Sequence, residues 1–168
     1  DQGAIVPVSD LAKGPDDKKW LDGFFPAFMK NSQTTGKTWG VPFQRSTIVQ
    51  YWNKDLFKAA GLDPEKGPAN WDQLVEMSKK LTKVDANGNV AQWGVKIPSS
   101  GFPYWMFQGL AIENGAELMN ADGNQTSFDA PPVVEALQYW VDLSAKHKVM
   151  PPGVVEWGTT PKDFLEKK

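Results

Sequence analysis

Cysteine is absent from the 168 residues of this sequence, and histidine and arginine occur once each, as His147 and Arg45, although Lys and Arg together number 18. The absence of cysteine excludes disulfides, thiolate zinc sites and cysteine nucleophiles. A single histidine excludes every motif that requires two. We therefore expect no metal, no cofactor and no thiol or triad chemistry.

Neither charge nor hydropathy predicts a surface for nucleic acid or for a membrane. The net charge is -2, and charges of both signs are spread along the chain, so there is no basic footprint for nucleic acid. No apolar run approaches the roughly 18 residues of a membrane span. The chain begins at Asp1, without a basic-then-apolar leader, and we expect a processed chain or a piece of a longer one.

Apolar periodicity, capping residues and proline stops predict many short elements. The predicted helices are residues 17–28, with a break at Pro26, and residues 54–60, 71–81, 102–113, 131–148 and 162–168. The predicted strands, rich in β-branched and aromatic residues, are 38–43, 47–52 and 90–97. Residues 85–89 are predicted to form a turn and not a calcium loop, because Lys96 stands where a bidentate Glu is needed.

Carboxylates are the only residues that suggest catalysis. A pair of them would suit glycosidic acid/base chemistry, but none has neighbours that predict a raised pKa, and we expect no enzyme. His147 lies at the end of the predicted helix 131–148, where a cation complements the carbonyl end of the dipole. The carboxylates considered are Glu113, Glu117, Asp122, Asp129 and Glu156.

The only arginine lies in the segment 42–47, between two predicted strands. The planar guanidinium of Arg45 is suited to clamping a carboxylate, phosphate or hydroxyl pair, and Ser46 and Thr47 add hydroxyls. An ion pair between Arg45 and a surface carboxylate is an equally open interpretation.

Two aromatic segments are candidates for a binding surface. Residues 102–107 (FPYWMF) follow the loop 99–101, and Trp157 precedes Gly-Thr-Thr at 158–160. Aromatic rings with a polar tip bind sugar rings and cationic head groups. Five bulky residues in succession cannot all point inward from one helix, although the core remains an alternative place for Met106 and Phe107.

Four segments, in order, resemble extracellular solute-binding proteins of ABC transporters, in the family that carries sugars and glycerol phosphates. They are residues 40–43 (GVPF) with 47–52, 53–62 (NKDLFKAAGL), 70–74 (NWDQL) and 163–168 (DFLEKK). The hydroxyls of Ser46 and Thr47 and the tryptophan at 105 are similar to the glycerol-3-phosphate branch. Arg45 departs from the small residue expected at its position.

The resemblance implies an incomplete α/β lobe of the periplasmic-binding-protein-like (type II) fold, with a mixed sheet flanked by helices. Residues 1–41 would end the opening segment of the first lobe, and 42–158 would form most of the second, with a hinge strand near 40–47. Residues 159–168 would return towards the hinge.

The implied function is capture of a sugar, polyol or glycerol-3-phosphate-like solute and its delivery to ABC permease subunits. The implied location is periplasmic or lipoprotein-tethered at the cell surface, and the implied state is a monomer. No nucleic acid partner is expected. The alternative is a carbohydrate-active enzyme whose aromatic cleft holds sugar beside carboxylates such as Glu113 and Glu156.

Within this interpretation, six residues are expected to contact the solute. Arg45 would clamp it, the hydroxyls at 46 and 47 would donate hydrogen bonds, and aromatic rings would form a platform. The six residues are Arg45, Ser46, Thr47, Tyr104, Trp105 and Trp157.

Overall fold

The computed structural model describes residues 3–168, which form two compact units divided at Thr47 and Ile48. Short helices dominate both units, and each strand has only two or three residues. Among residues 3–168, no helix is long and apolar enough to cross a membrane.

The first unit contains helices and one hairpin. Its elements are α1 (Val8–Leu11), α2 (Pro15–Asp22), α3 (Pro26–Met29), the 3-10 helix Lys30–Ser32, β1 (Gln33–Thr34) and β2 (Lys37–Thr38). Pro26 interrupts the predicted helix as expected, because it becomes the first residue of α3. Thr35 and Gly36 both have positive φ, which suits the tight turn between β1 and β2.

The second unit, Ile48–Lys168, contains the larger helices. Its elements are α4 (Lys54–Ala59), α5 (Trp71–Leu81), β3 (Lys83–Val84), β4 (Val90–Gln92), α6 (Pro103–Glu113), α7 (Pro131–Ala145) and α8 (Thr160–Leu165). Strands β3 and β4 pair antiparallel across the predicted turn at 85–89.

Asparagine caps set the starts of α4 and α5. The side-chain oxygen of Asn53 accepts hydrogen bonds from the backbone amides of Asp55 and Leu56. Asn70 accepts one from the amide of Gln73, and the Gln73 side chain accepts one from Ala69, the residue before the cap. These bonds satisfy amides that have no partner inside a helix, so the two helices begin where the sequence predicts.

The core of the second unit lies against one face of α7. Ala136 and Leu143 are fully buried there, three residues after Val133 and seven residues after Ala136 respectively, on the same face. Trp71 of α5 stacks on Tyr139 of α7, with ring centroids 4.3 Å apart. Burying side chains of this size stabilises a fold by about 1.5–3 kcal/mol each, so α7 holds α5 and α6 in place.

The three strand predictions are wrong in whole or part. Within residues 3–168, the segments 39–53 and 93–102 contain no strand, and β4 covers only Val90–Gln92 of the predicted 90–97. A β-propensity pattern forms a strand only where a neighbouring strand takes up its backbone groups, and the described residues supply none for 39–53. Among residues 3–168, the strands form two antiparallel pairs.

Gly94 is the point where the chain after β4 meets α5. Its amide and that of Val95 both donate to the carbonyl oxygen of Val149, at 3.1 Å each. A Cβ atom at Gly94 would lie 2.1 Å from the backbone oxygen of Ser78. The obstacle is helix backbone, which cannot rotate away as a side chain can.

We expect Gly94→Ala to lower the free energy of unfolding by about 3 kcal/mol, since overpacking against fixed atoms forces the backbone apart. Urea denaturation followed by circular dichroism measures the change. Gly109→Ala is the matched control, because a Cβ there meets no atom within 4 Å inside α6, and it should stabilise by up to about 1 kcal/mol. Equal effects of the two substitutions would contradict the prediction.

Candidate functional site

Three exposed aromatic side chains of the second unit, Phe102, Trp105 and Trp157, form what we call the aromatic cluster. The rings of Phe102 and Trp105 stack with centroids 4.6 Å apart and 12° between planes. Trp157 meets Phe102 edge-on, at 5.6 Å and 84°. Phe102 and Trp105 are about half exposed (49% and 50%) and Trp157 is 37% exposed. Apolar ring surface therefore stands open to solvent at one place.

Backbone hydrogen bonds bring the two parts of the aromatic cluster together. The amide of Ser99 donates to the carbonyl of Val155 at 2.8 Å, and the amide of Val155 donates to the Ser99 hydroxyl at 2.9 Å. Gly101 then turns with φ +71°, and a Cβ there would lie 3.1 Å from that of Trp157. Because these contacts join segments more than fifty residues apart, the position of Trp157 is fixed relative to α6.

A carboxylate lies beside the aromatic cluster. The Ser100 hydroxyl donates to Oε2 of Glu156 at 2.6 Å and accepts from the amide of Trp157 at 3.1 Å. The backbone oxygen of Glu156 accepts from the Thr160 hydroxyl at 2.7 Å. Within residues 3–168, Glu156 forms no ion pair and its Oε1 has no protein partner. The carboxylate is thus an oriented acceptor with one oxygen free for a donor.

Tyr104 lies apart from the aromatic cluster. Successive helix residues project roughly 100° apart, and Tyr104 instead lines a groove of about 620 Å³ with Ile112, Met119 and Phe128. The structure brings Trp105 and Trp157 together but does not place Tyr104 beside them. A solute-binding role for Tyr104 stays a prediction.

Arg45 belongs to the first unit and contacts backbone there. Its Nε and Nη2 atoms donate to the carbonyl oxygen of Phe28 at 3.3 and 3.1 Å, and Nη2 also reaches the Ser32 hydroxyl at 3.4 Å. Among residues 3–168, no carboxylate pairs with it. Ser46 and Thr47 are exposed. These contacts hold the arginine in one orientation and differ from the surface ion pair considered above.

Phe102, Ser100 and Glu156 are absent from the six expected contacts. A signal for Phe102 is present in the sequence, because Pro103 marks the first turn of a helix and places residues 102 and 105 on one face. No sequence signal joins Ser100 to Glu156, since their contact depends on the tertiary fold. Among the described residues, 3–168, no three His, Asp or Glu side chains converge as a metal site.

One charged pair ties α8 to the segment before the aromatic cluster. Nζ of Lys96 lies 2.8 Å from Oδ2 of Asp163, and their side chains are only 16% and 25% exposed. The hydrogen bond and the charge of Lys96 lower the pKa of Asp163 below its ordinary 3.8. Since α8 starts three residues after Trp157, the Lys96–Asp163 pair also restrains the side of the aromatic cluster that Trp157 forms.

Comparison with known proteins identifies the class. The family model described as bacterial extracellular solute-binding protein matches residues 1–162, and the chain belongs to this family. The predicted resemblance to ABC transporter solute-binding proteins is confirmed. The family match favours solute binding over the carbohydrate-active enzyme that the sequence left open.

One related protein is named for binding glycerol-3-phosphate, and another is solved with a sugar bound. Over 150 residues, the chain is 34% identical to the sn-glycerol-3-phosphate-binding periplasmic protein UgpB of Brucella abortus (strain 2308), covering 85% of this chain and 33% of that relative. The solved structure of CpMnBP1 with mannobiose bound is 36% identical over 87% of this chain and 35% of its own, with a TM-score of 0.66. The chain spans about a third of the length of these proteins.

The fold is also that of more distant structures. UgpB from Mycobacterium tuberculosis, in complex with glycerophosphocholine, has a TM-score of 0.74 at 19% identity, over 96% of this chain and 39% of its own. This likeness concerns the fold alone. Together with the family match, it confirms an incomplete α/β fold of the type II periplasmic-binding class.

The Lys96–Asp163 pair predicts a pH-dependent stability of the second unit. Because the folded-state pKa of Asp163 is lowered, the stabilisation is present above pH 3.8 and is lost as pH falls through the lower folded value. Asp163→Asn should therefore be less stable than the parent chain at neutral pH, and the difference should vanish in strong acid. Urea denaturation at a series of pH values measures it.

Glu117→Gln is the control, because Glu117 is exposed and forms no ion pair within residues 3–168. It should leave the pH profile of stability unchanged. A constant difference between Asp163→Asn and the parent at every pH would show that the charge of Asp163 has no part in holding α8.

Proposed function

We propose that this chain is part of the substrate-binding component of an ABC importer, which captures a sugar, polyol or glycerol-3-phosphate-like solute and delivers it to membrane permease subunits. Its family membership and the names of its relatives support this function. The protein acts as a monomer in the periplasm or tethered to the cell surface as a lipoprotein. It holds the solute without altering it, so its binding groups need no proton-transfer role.

The observation that carries the proposal is the exposed aromatic cluster beside an oriented carboxylate. The C–H face of a sugar ring packs on the apolar face of an indole, and the polar edge of the indole can meet hydroxyl groups. Sugar hydroxyls donate to the free oxygen of Glu156. Trp105 and Trp157 are the proposed platforms, and Tyr104 is a further contact on its own face of α6.

Charge at the aromatic cluster favours a neutral solute there. Glu156 repels a phosphate, whereas hydroxyl groups donate to it without a charge penalty. Arg45, Ser46 and Thr47 in the first unit are the proposed contacts for an anionic or hydroxyl group. Of the proposed solutes, a neutral sugar or polyol is the one that the cluster supports best.

The proposed lobes follow the boundaries predicted from sequence. Residues 1–41 end the opening segment of one lobe, 42–158 form most of the second, and 159–168 return towards a hinge strand near 40–47. Solute contacts stabilise a closed state, which the permease recognises. The compact units divide at Thr47, at the end of the proposed hinge strand, which is compatible with this arrangement.

The first test uses thermal shift and calorimetry of the 168-residue chain with neutral disaccharides, polyols and glycerol-3-phosphate. We expect Trp105→Ala and Trp157→Ala each to weaken binding of the solute found by about tenfold, because each removes a ring platform. Trp20→Ala is the matched control, since Trp20 is 55% exposed in the first unit and outside the aromatic cluster. Equal losses in all three variants, or no binding of any compound, would contradict the proposal.

Arg45→Lys separates a binding role of the guanidinium from a structural one. If Arg45 clamps the solute, the lysine variant should bind it at least about tenfold more weakly, because a point charge replaces a planar fork. The lysine variant also loses the hydrogen bonds to the carbonyl oxygen of Phe28. That loss should lower the free energy of unfolding and leave the affinity unchanged. Calorimetry and urea denaturation of the same variant measure both. Unchanged affinity beside lowered stability would assign Arg45 a structural role alone.

A further inference from the structure

Two Asn-Gly pairs occur in this chain, at 87–88 and at 114–115. Asn-Gly is the sequence at which asparagine cyclises most readily, because glycine leaves the attacking backbone nitrogen unhindered. Sequence alone makes the two sites equivalent. Their surroundings in the folded chain differ.

The first pair lies in the turn that joins β3 to β4. Residues 83–89 are all exposed, and Gly88 has φ +85°. The turn is held by Asp85, whose carboxylate accepts hydrogen bonds from the amides of Asn87 and Asn89. Within residues 3–168, the side-chain amide of Asn87 has no hydrogen-bond partner. The attacking nitrogen of Gly88 donates to the carbonyl oxygen of Asp85 at 3.1 Å, and that of Gly115 donates to the carbonyl oxygen of Ile112 at 2.9 Å. Each of these bonds must open before cyclisation, so the two sites differ at the asparagine side chain.

The second pair lies at the end of α6, where the side chain is held. Nδ2 of Asn114 donates to the carbonyl of Pro132 at 2.9 Å and to Oε2 of Glu135 at 3.0 Å. Both partners belong to α7, which is packed against α6 through the core. Cyclisation at Asn114 therefore requires both bonds to break.

We propose that Asn87 is a site of spontaneous deamidation in the folded protein and that Asn114 is protected from it. The deprotonated backbone nitrogen of Gly88 attacks Cγ of Asn87, a C–N bond forms, the Cγ–Nδ2 bond breaks and ammonia leaves. Water then opens the succinimide at either carbonyl, giving aspartate or isoaspartate. Hydroxide removes the Gly88 amide proton and the leaving nitrogen takes one from water, so water is the only co-reactant.

The product would weaken the turn that Asp85 organises. Hydrogen bonds from the backbone of Asn89, from Asn87 and from Gly88 lower the pKa of Asp85, so its carboxylate stays charged. Either product adds a second carboxylate at residue 87. Isoaspartate also lengthens the backbone by one carbon, which alters the spacing between the backbone amides that donate hydrogen bonds to Asp85.

The test incubates the folded 168-residue chain in mildly alkaline buffer made with oxygen-18 water and maps peptides by mass spectrometry. We expect the peptide containing Asn87 to take up label about tenfold faster than the peptide containing Asn114, since the latter must first lose two hydrogen bonds. In denaturant, the two rates should converge, because both sites are then plain Asn-Gly sequences. Comparable rates in the folded chain would overturn the proposal.

Three variants complete the test. Asn87→Gln should abolish labelling at that position, because its ring closure would need six atoms. Glu135→Ala removes one of the two hydrogen bonds to Asn114, and the rate of labelling at Asn114 should rise several-fold as a result. Glu135→Gln keeps an acceptor oxygen, so the rate should not rise. Identical Asn114 rates in the two Glu135 variants, with circular dichroism showing both folded, would overturn the assigned protection.

Discussion

The exchange of hydrogen bonds between Ser99 and Val155 is the constraint on which the candidate site depends. One bond joins backbone to backbone, and the other joins the Val155 amide to the Ser99 hydroxyl. Val155 is buried, so both bonds are sheltered from competing water. They place the residues that follow, Ser100 on one side and Glu156 on the other, within a single hydrogen bond of each other. Together with the bond from the Trp157 amide to the Ser100 hydroxyl, this link positions Trp157 against Phe102.

The local parts of the fold could be predicted from sequence because their causes are local. The caps Asn53 and Asn70 and the proline that begins α3 each act within one helical turn. The predictions of strands at 38–43 and 47–52 were wrong in whole or part because the cause of a strand is not local. A strand is defined by its neighbour, and local composition does not reveal whether one is present.

The candidate site also combines local features, which can be predicted from sequence, with tertiary contacts, which cannot. The aromatic segment at 102–107 is visible in the sequence, and helical spacing places residues 102 and 105 on one face. The separation of Tyr104 from Trp105 follows from the same spacing. The approach of Trp157 and the contact of Ser100 with Glu156 could not be predicted, because they arise where loops 56 residues apart meet. Family resemblance gave the class of protein, whereas tertiary contacts gave the chemistry of the surface.

The ring angles of the aromatic cluster constrain the shape of any solute that uses both indoles. Phe102 is nearly parallel to Trp105 and nearly perpendicular to Trp157, so the two indole planes are themselves close to perpendicular. A molecule with two linked rings, one lying flat on each indole, must bend sharply at its linkage. An extended oligomer could lie flat on only one of them. For the sugar ligand proposed above, the cluster would therefore distinguish candidates by the geometry of their glycosidic bond as well as by their hydroxyl groups.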